Sequence, residues 1–168
     1  IYYKDIIEKN IRIMAEIANG VEWLCPHVKT HKCADLIQLL MQKGISRFKC
    51  ATIAEAEMAA MCGAKQAIVA YPLVGPNISR FVRLLQAYPQ TAFFAIGDDE
   101  DQLRLLSQEA VRHGVYVNLL LDINDGLNRT GIETAKAGQL YRKAAEMPNI
   151  NMRGMHVYDG HRHEQELQ

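Results

Sequence analysis

A lysine becomes a nucleophile near neutral pH when positive neighbours and burial depress its pKa, the condition that Schiff-base chemistry requires. The run Cys25-Pro26-His27-Val28-Lys29-Thr30-His31-Lys32 wedges Lys29 among His27, His31 and Lys32. From spacing alone, surface lysines on a polar loop explain the same residues more economically. A second polar concentration runs through Asp122, Asn124, Asp125, Asn128 and Arg129, and a third holds His156, Tyr158, Asp159, His161 and His163. The spacing His156-x4-His161-x-His163 suits imidazole ligation of zinc or a similar ion. Solvated or hydrogen-bonded loop histidines account for it more simply, so no metal ligand is assigned. The bland readings of Arg129 and Tyr158 are a surface ion pair and an amphipathic core residue with a wet hydroxyl. GxGxxG and GxxxxGK runs are absent, which weighs against nucleotide sites, and no G-x-S-x-G elbow suggests an α/β-hydrolase.

The elements that must carry these residues alternate. Helical stripes are predicted over 5–18 (Ile7, Ile11, Met14, Ala18, with Asp5 three residues before Glu8), 35–43, 52–63, about 78–85, 98–113 and 134–147. Thr52 and Glu55 form a capping box, and Asp98 is the expected N-cap of the fifth helix. Short, nearly continuous apolar runs at 21–28, 47–51, 66–70, 91–96, 115–121 and 152–157 read as strands. Such strands, each separated by a helix, imply a parallel sheet covered on both faces. Six strands would complete a doubly wound sheet. They would equally be an eight-stranded barrel cut after its sixth strand, since the whole barrel needs about 250 residues. Periodicity leaves both open. In either, ligands bind at the carboxyl ends of the strands. Those ends carry residues 29–32, Thr52, Tyr71, residues 122–129 and, at or beyond the last strand, His156 to His163.

The 168 residues are enough for one domain with a sizeable core, and 49% hydrophobic with 23% charged residues is an ordinary globular composition. Nineteen basic against nineteen acidic residues argue against a nucleic-acid partner. No apolar run approaches the roughly 18 residues of a membrane span. Four cysteines among the first 62 residues, with no CxxC pair, read as reduced buried thiols of a cytoplasmic protein. The start at Ile1 and the end at Gln168 suggest a piece of a longer chain.

Pro26-His27-Val28-Lys29-Thr30-His31-Lys32 closely resembles the PHxKTHK signature of the D-threonine aldolase and D-serine dehydratase family, pyridoxal-phosphate (PLP) enzymes of the alanine-racemase fold type. The stretch from Leu121 to Gly131 resembles that family's D-(V/T)-G-x-x-R-x-G segment, departing by Asn124-Asp125 where one residue is commoner. Arg153-Gly154-Met155-His156-Val157-Tyr158-Asp159-Gly160-His161 resembles its RGLxxYxGH stretch. The three stand in the family's order along essentially the whole chain.

The resemblance implies an α/β fold, a TIM (β/α)8-type barrel truncated here to about six strands and lacking the family's C-terminal β domain, with residues 1–168 as the partial PLP-binding domain. It implies that Lys29 forms the internal aldimine and serves as a base at the substrate α-carbon. Arg129 would hydrogen-bond the cofactor's phenolic oxygen, Tyr158 would lie against or beside the pyridine ring, and His156 and His161 would line the same pocket as catalytic residues. The activity implied is a lyase reaction on small β-hydroxy D-amino acids, cleaving a threonine-type substrate or dehydrating a serine-type one. A divalent metal acting as a Lewis acid, with ligands outside this chain, and a phosphate cup from the seventh and eighth strands belong to the same picture. So does a homodimer for the full-length protein. The rival readings are an amino-acid racemase of this fold type, a non-catalytic PLP-binding homeostasis protein, and a small-molecule barrel with no cofactor.

Overall fold

Alternation within a strand decides which way each side chain faces, and here it sorts the strands into a packed apolar face and a mixed, half-open one. In the computed structural model, which describes residues 2–161, the strands are Arg47–Cys50 (β1), Gln66–Val69 (β2), Ala92–Gly97 (β3), Val117–Asn124 (β4), Ile132–Glu133 (β5) and Ile150–Val157 (β6). Phe48 and Cys50, Ala67 and Val69, Phe93 and Ala95, and Val117, Leu119 and Leu121 are all buried on one face. The helices that cover the sheet are Ile53–Met61 (α3), Pro76–Ala87 (α4), Glu100–Arg112 (α5) and Thr134–Ala145 (α6), preceded by Lys4–Ile17 (α1) and Ala34–Gln42 (α2). Their buried stripes, among them Ala56, Phe81, Val82, Leu106 and Ala144, join the same core. Phe81 meets Phe93 edge to face at 6.4 Å. Fully burying Phe48, Phe81 and Phe93 contributes roughly 1.5–3 kcal/mol each.

The opposite face is half-open. Lys49, Ile68, Phe94 and Asn118 sit side by side across β1 to β4 in direct register. All pairings are parallel and run β1-β2-β3-β4 in chain order, with the short β5 and the longer β6 both pairing with β4. A doubly wound sheet reverses its strand order at a switch point, whereas a barrel winds in one direction. The unbroken order is that of a barrel.

Several expectations need correction. Residues 21–28 are not a strand: Val21–Trp23 and Val28–Thr30 are 3-10 turns, and only residue 27 bridges β1, opposite Lys49. Pro26 has no N–H to give a ladder, and its carbonyl accepts the Lys49 N–H at 2.9 Å. The sixth strand is instead the two-residue β5, too short to leave a periodic signal. The strand expected at 115–121 begins at Val117 and runs on to Asn124, so Asp122 lies inside it. Asp99, not Asp98, caps α5, accepting the Gln102 N–H at 2.9 Å. Asp98 accepts the Gly131 N–H at 2.6 Å. Helix α1 starts at Lys4 without a side-chain cap, leaving Asp5 in its first turn. Among the described residues no helix is long and apolar enough to cross a membrane.

Candidate functional site

The segment carrying Lys29 is held by its neighbours. Val28 is fully buried. The Lys29 N–H donates to His27 Nδ1 at 3.3 Å, and the Cys33 N–H donates to His31 Nδ1 at 3.1 Å. Lys32 takes a left-handed backbone (φ 47°) that puts its ammonium 3.7 Å from Glu55 Oε1. Glu55 is buried, and its other oxygen accepts the Ala51 N–H at 2.7 Å while Thr52 Oγ1 accepts the Glu55 N–H at 3.2 Å. The expected capping box is present in this shifted form, and Glu55 fastens the Lys29 segment to the start of α3. Burial holds His31 below its ordinary pKa. Burial and then the Lys29 and Lys49 charges do the same for His27. Lys29 itself is exposed, so the partial burial expected of it is not found.

The half-buried lysine is Lys49, on the polar face of β1. Its Nζ lies 5.3 Å from the centre of the Tyr158 ring, and Arg129 Cζ lies 5.4 Å from the same centre. Both distances fall within cation–π range. Burial first, then the charges of Lys29 and Arg129, draw the Lys49 ammonium below its ordinary pKa, while Cys25 and Asp122 act in the opposite sense. Lys29, Lys49 and Arg129 make no ion pair among the described residues.

Beside this cluster, Asp122 on β4 and His156 on β6 are register partners. His156 Nδ1 lies 2.6 Å from Asp122 Oδ1, with the two side chains 11% and 4% exposed. Asp122 Oδ2 and His156 Nε2 are buried with no hydrogen-bond partner among the described residues. A carboxylate accepting Nδ1–H fixes the imidazole tautomer and leaves Nε2 as the acceptor.

The loop carrying Arg129 is built on Asn124. Its Oδ1 accepts the N–H groups of Gly126 and Asn128 at 3.0 and 3.1 Å, and its Nδ2 donates to Asn128 Oδ1 at 2.9 Å. His161 packs over this loop: its Nε2 would lie 3.0 Å from a Cβ placed on Gly126. Gly131 closes the loop at φ 100°, where a Cβ would collide with the backbone of Ile123 and Asn124. Thr52 and Tyr71 line a cleft of about 410 Å³ with Pro72, Asn77 and Arg80.

Arg129 and Tyr158 are therefore brought together, the segment that carries Lys29 meets Lys49 through the bridge at residue 27, His156 pairs with Asp122, and His161 sits on the Arg129 loop. His163 lies outside the described residues. Among the described residues no group of three His, Cys, Asp or Glu is arranged to hold a metal ion. Sequence reasoning gave no role to Lys49 or Asp122, and none to Glu55 beyond its cap. The signal for Lys49 was its alternation with Phe48 and Cys50, which puts a charge inside a barrel strand.

The sequence profile of the alanine racemase N-terminal domain matches residues 4–168. The chain is 31% identical over 163 residues to a 3-hydroxy-D-aspartate aldolase of Paracoccus denitrificans, covering 93% of this chain and 41% of that protein. It is 26% identical over 155 residues to a D-threonine aldolase of an Arthrobacter species, covering 91% and 40%. The chain thus spans about two fifths of the length of these curated relatives. The crystal structure of D-threonine aldolase from Filomicrobium marinum superposes with a TM-score of 0.84 at 28% identity, covering 93% of this chain and 42% of that one. With its profile matched over nearly every residue and its strands wound in barrel order, the chain belongs to the alanine racemase N-terminal domain family.

Proposed function

We propose that this chain forms the PLP-carrying part of a lyase acting on small β-hydroxy D-amino acids. The observation that carries the reading is that Arg129 and Lys49 both lie within 5.4 Å of the Tyr158 ring centre, with the segment that carries Lys29 bridged to Lys49 at residue 27. The names of the relatives support it, since 3-hydroxy-D-aspartate and D-threonine are both β-hydroxy D-amino acids.

The residues present fit PLP. Lys29 offers an exposed amine on a fastened turn, Arg129 a guanidinium for the phenolic oxygen, and Tyr158 an aromatic face for the ring. The orphaned His156 Nε2 is a buried acceptor without a partner among the described residues. When bound, PLP supplies an electron sink for the bond broken at the substrate α-carbon. Lys29 would anchor the cofactor, and its amine would hold or return a proton at the substrate α-carbon. Asp122 keeps the His156 proton on Nδ1, so that Nε2 can take the proton of the substrate β-hydroxyl. With a threonine-type substrate that transfer releases an aldehyde and glycine. His161, on the Arg129 loop, lines the same mouth.

The test is to incubate the full-length protein with PLP, reduce with borohydride and map the modified peptide by mass spectrometry. The expected adduct is on Lys29 and disappears in Lys29→Ala. An adduct on Lys49 or elsewhere, or none, overturns the assignment. D-threonine, D-serine and alanine assays then separate lyase from racemase.

A further inference from the structure

Lys49 is a cation the reading above does not use. Lys29 is committed to the cofactor and Arg129 to its phenolic oxygen, and Lys32 is paired with Glu55. Lys49 remains with its ammonium half-buried over Tyr158, between the charges of Lys29 and Arg129. Asp122 faces it but is engaged at 2.6 Å with His156. Burying a charge without a partner is costly, and a half-buried ammonium among other cations attracts an anion. Its place on the polar face of β1, beside the segment that carries Lys29, puts that anion next to the reacting amine.

We propose that the Lys49 ammonium binds a carboxylate of the substrate. This rests on the lyase reading for the identity of the substrate, but not for the presence of an anion site. Two carboxylates are available: the α-carboxylate that every amino acid carries, and the side-chain carboxylate of a dicarboxylic β-hydroxy amino acid. Both present the same chemistry to Lys49, and a salt-linked hydrogen bond to either would be retained by arginine more than by a neutral side chain.

The experiment uses the full-length protein and its Lys49→Met, Lys49→Arg and Lys65→Met variants. Lys65 is an exposed lysine just before β2 and controls for loss of one positive charge. With PLP bound, KM is measured for D-threonine and for 3-hydroxy-D-aspartate. Lys49→Met is expected to raise KM roughly tenfold or more, the worth of one charge-assisted hydrogen bond. Lys49→Arg recovers most of that loss, and Lys65→Met does not share it. A rise for both substrates assigns Lys49 to the α-carboxylate, and a rise for 3-hydroxy-D-aspartate alone assigns it to the side chain. Unchanged KM values for both, or a loss of PLP affinity in place of substrate affinity, overturn the proposal. Calorimetric titration of the PLP-free protein with succinate and acetate separates the two readings. Binding that depends on Lys49 upholds the anion site even where no Lys29 adduct forms. A Lys29 adduct with normal turnover and no Lys49 dependence upholds the lyase and removes the anion site.

Discussion

Asp122 and His156 combine a 2.6 Å contact with near-complete burial, and each keeps one polar atom without a partner among the described residues. Removing one member of such a pair leaves the other buried and unsatisfied, while exchanging the carboxylate for an amide mainly disturbs the imidazole tautomer. Asp122→Asn is therefore expected to lower kcat by about a hundredfold with little change in KM. A wild-type kcat would show that the pair only packs. Cys50 has a different fate. Burial, then the charges of Glu55 and Cys25, push its thiol up to about 12, so it stays protonated and inert. Iodoacetamide at about pH 8 is expected to spare Cys50 in the folded protein and to label it after denaturation.

The 27–32 segment is an element held together by short-range polar contacts rather than by a ladder, and its stability should depend on pH. His27 and His31 both lie below the ordinary value of 6.5, chiefly through burial. The unfolded chain then binds their protons more tightly than the folded one. Their contribution is present above the unfolded value and is lost as the pH falls through it toward the lower folded values. Urea midpoints are expected to drop between about pH 7.5 and about pH 5.5, with a smaller drop in His31→Gln. Glu55 is the anchor of the same element. Glu55→Ala strands the half-buried Ala51 N–H and frees Lys32, and should cost about 1–3 kcal/mol of stability. Circular-dichroism melts check this, and a variant as stable as the parent would remove Glu55 from its anchoring role. At the far end of β4, Gly131 accepts no side chain without moving the Ile123–Asn124 backbone. Its exchange for alanine should displace the Arg129 loop.

For the molecule as a whole, the sheet has an inside and an edge. β4 is paired on both sides, with β3 and β6, whereas β6 pairs only with β4 among the described residues. Met155 and Val157 of β6 are 64% and 55% exposed, although the equivalent face of β4 is buried. Amide exchange measured by mass spectrometry on this chain should be slowest in β4 and markedly faster in β6. Equal protection of the two strands would mean that another surface covers β6. The catalytic candidates fall on both strands: Asp122 stands on the doubly paired β4, while His156 and Tyr158 stand on or just beyond the singly paired β6.

Read alone, the residues determined the alternating order of helices and strands, because periodicities of two and of 3.6 are local properties of the chain. They also determined the Thr52–Glu55 cap and the motif positions of Lys29, Arg129 and Tyr158. Periodicity could not choose between a doubly wound sheet and a barrel, since that depends on which strands pair; the motif resemblance implied the barrel, and the unbroken β1-β2-β3-β4 order bears it out. The stretch at 21–28 misled because its apolar residues serve a buried turn, and Pro26 denies it a ladder. Lys49 and Asp122 went unassigned for a related reason. A charge in a strand becomes chemistry only when the sheet curls its polar face toward other charges. That brought Lys49 to Tyr158, Arg129 and Lys29, and Asp122 to His156 across 34 residues of sequence.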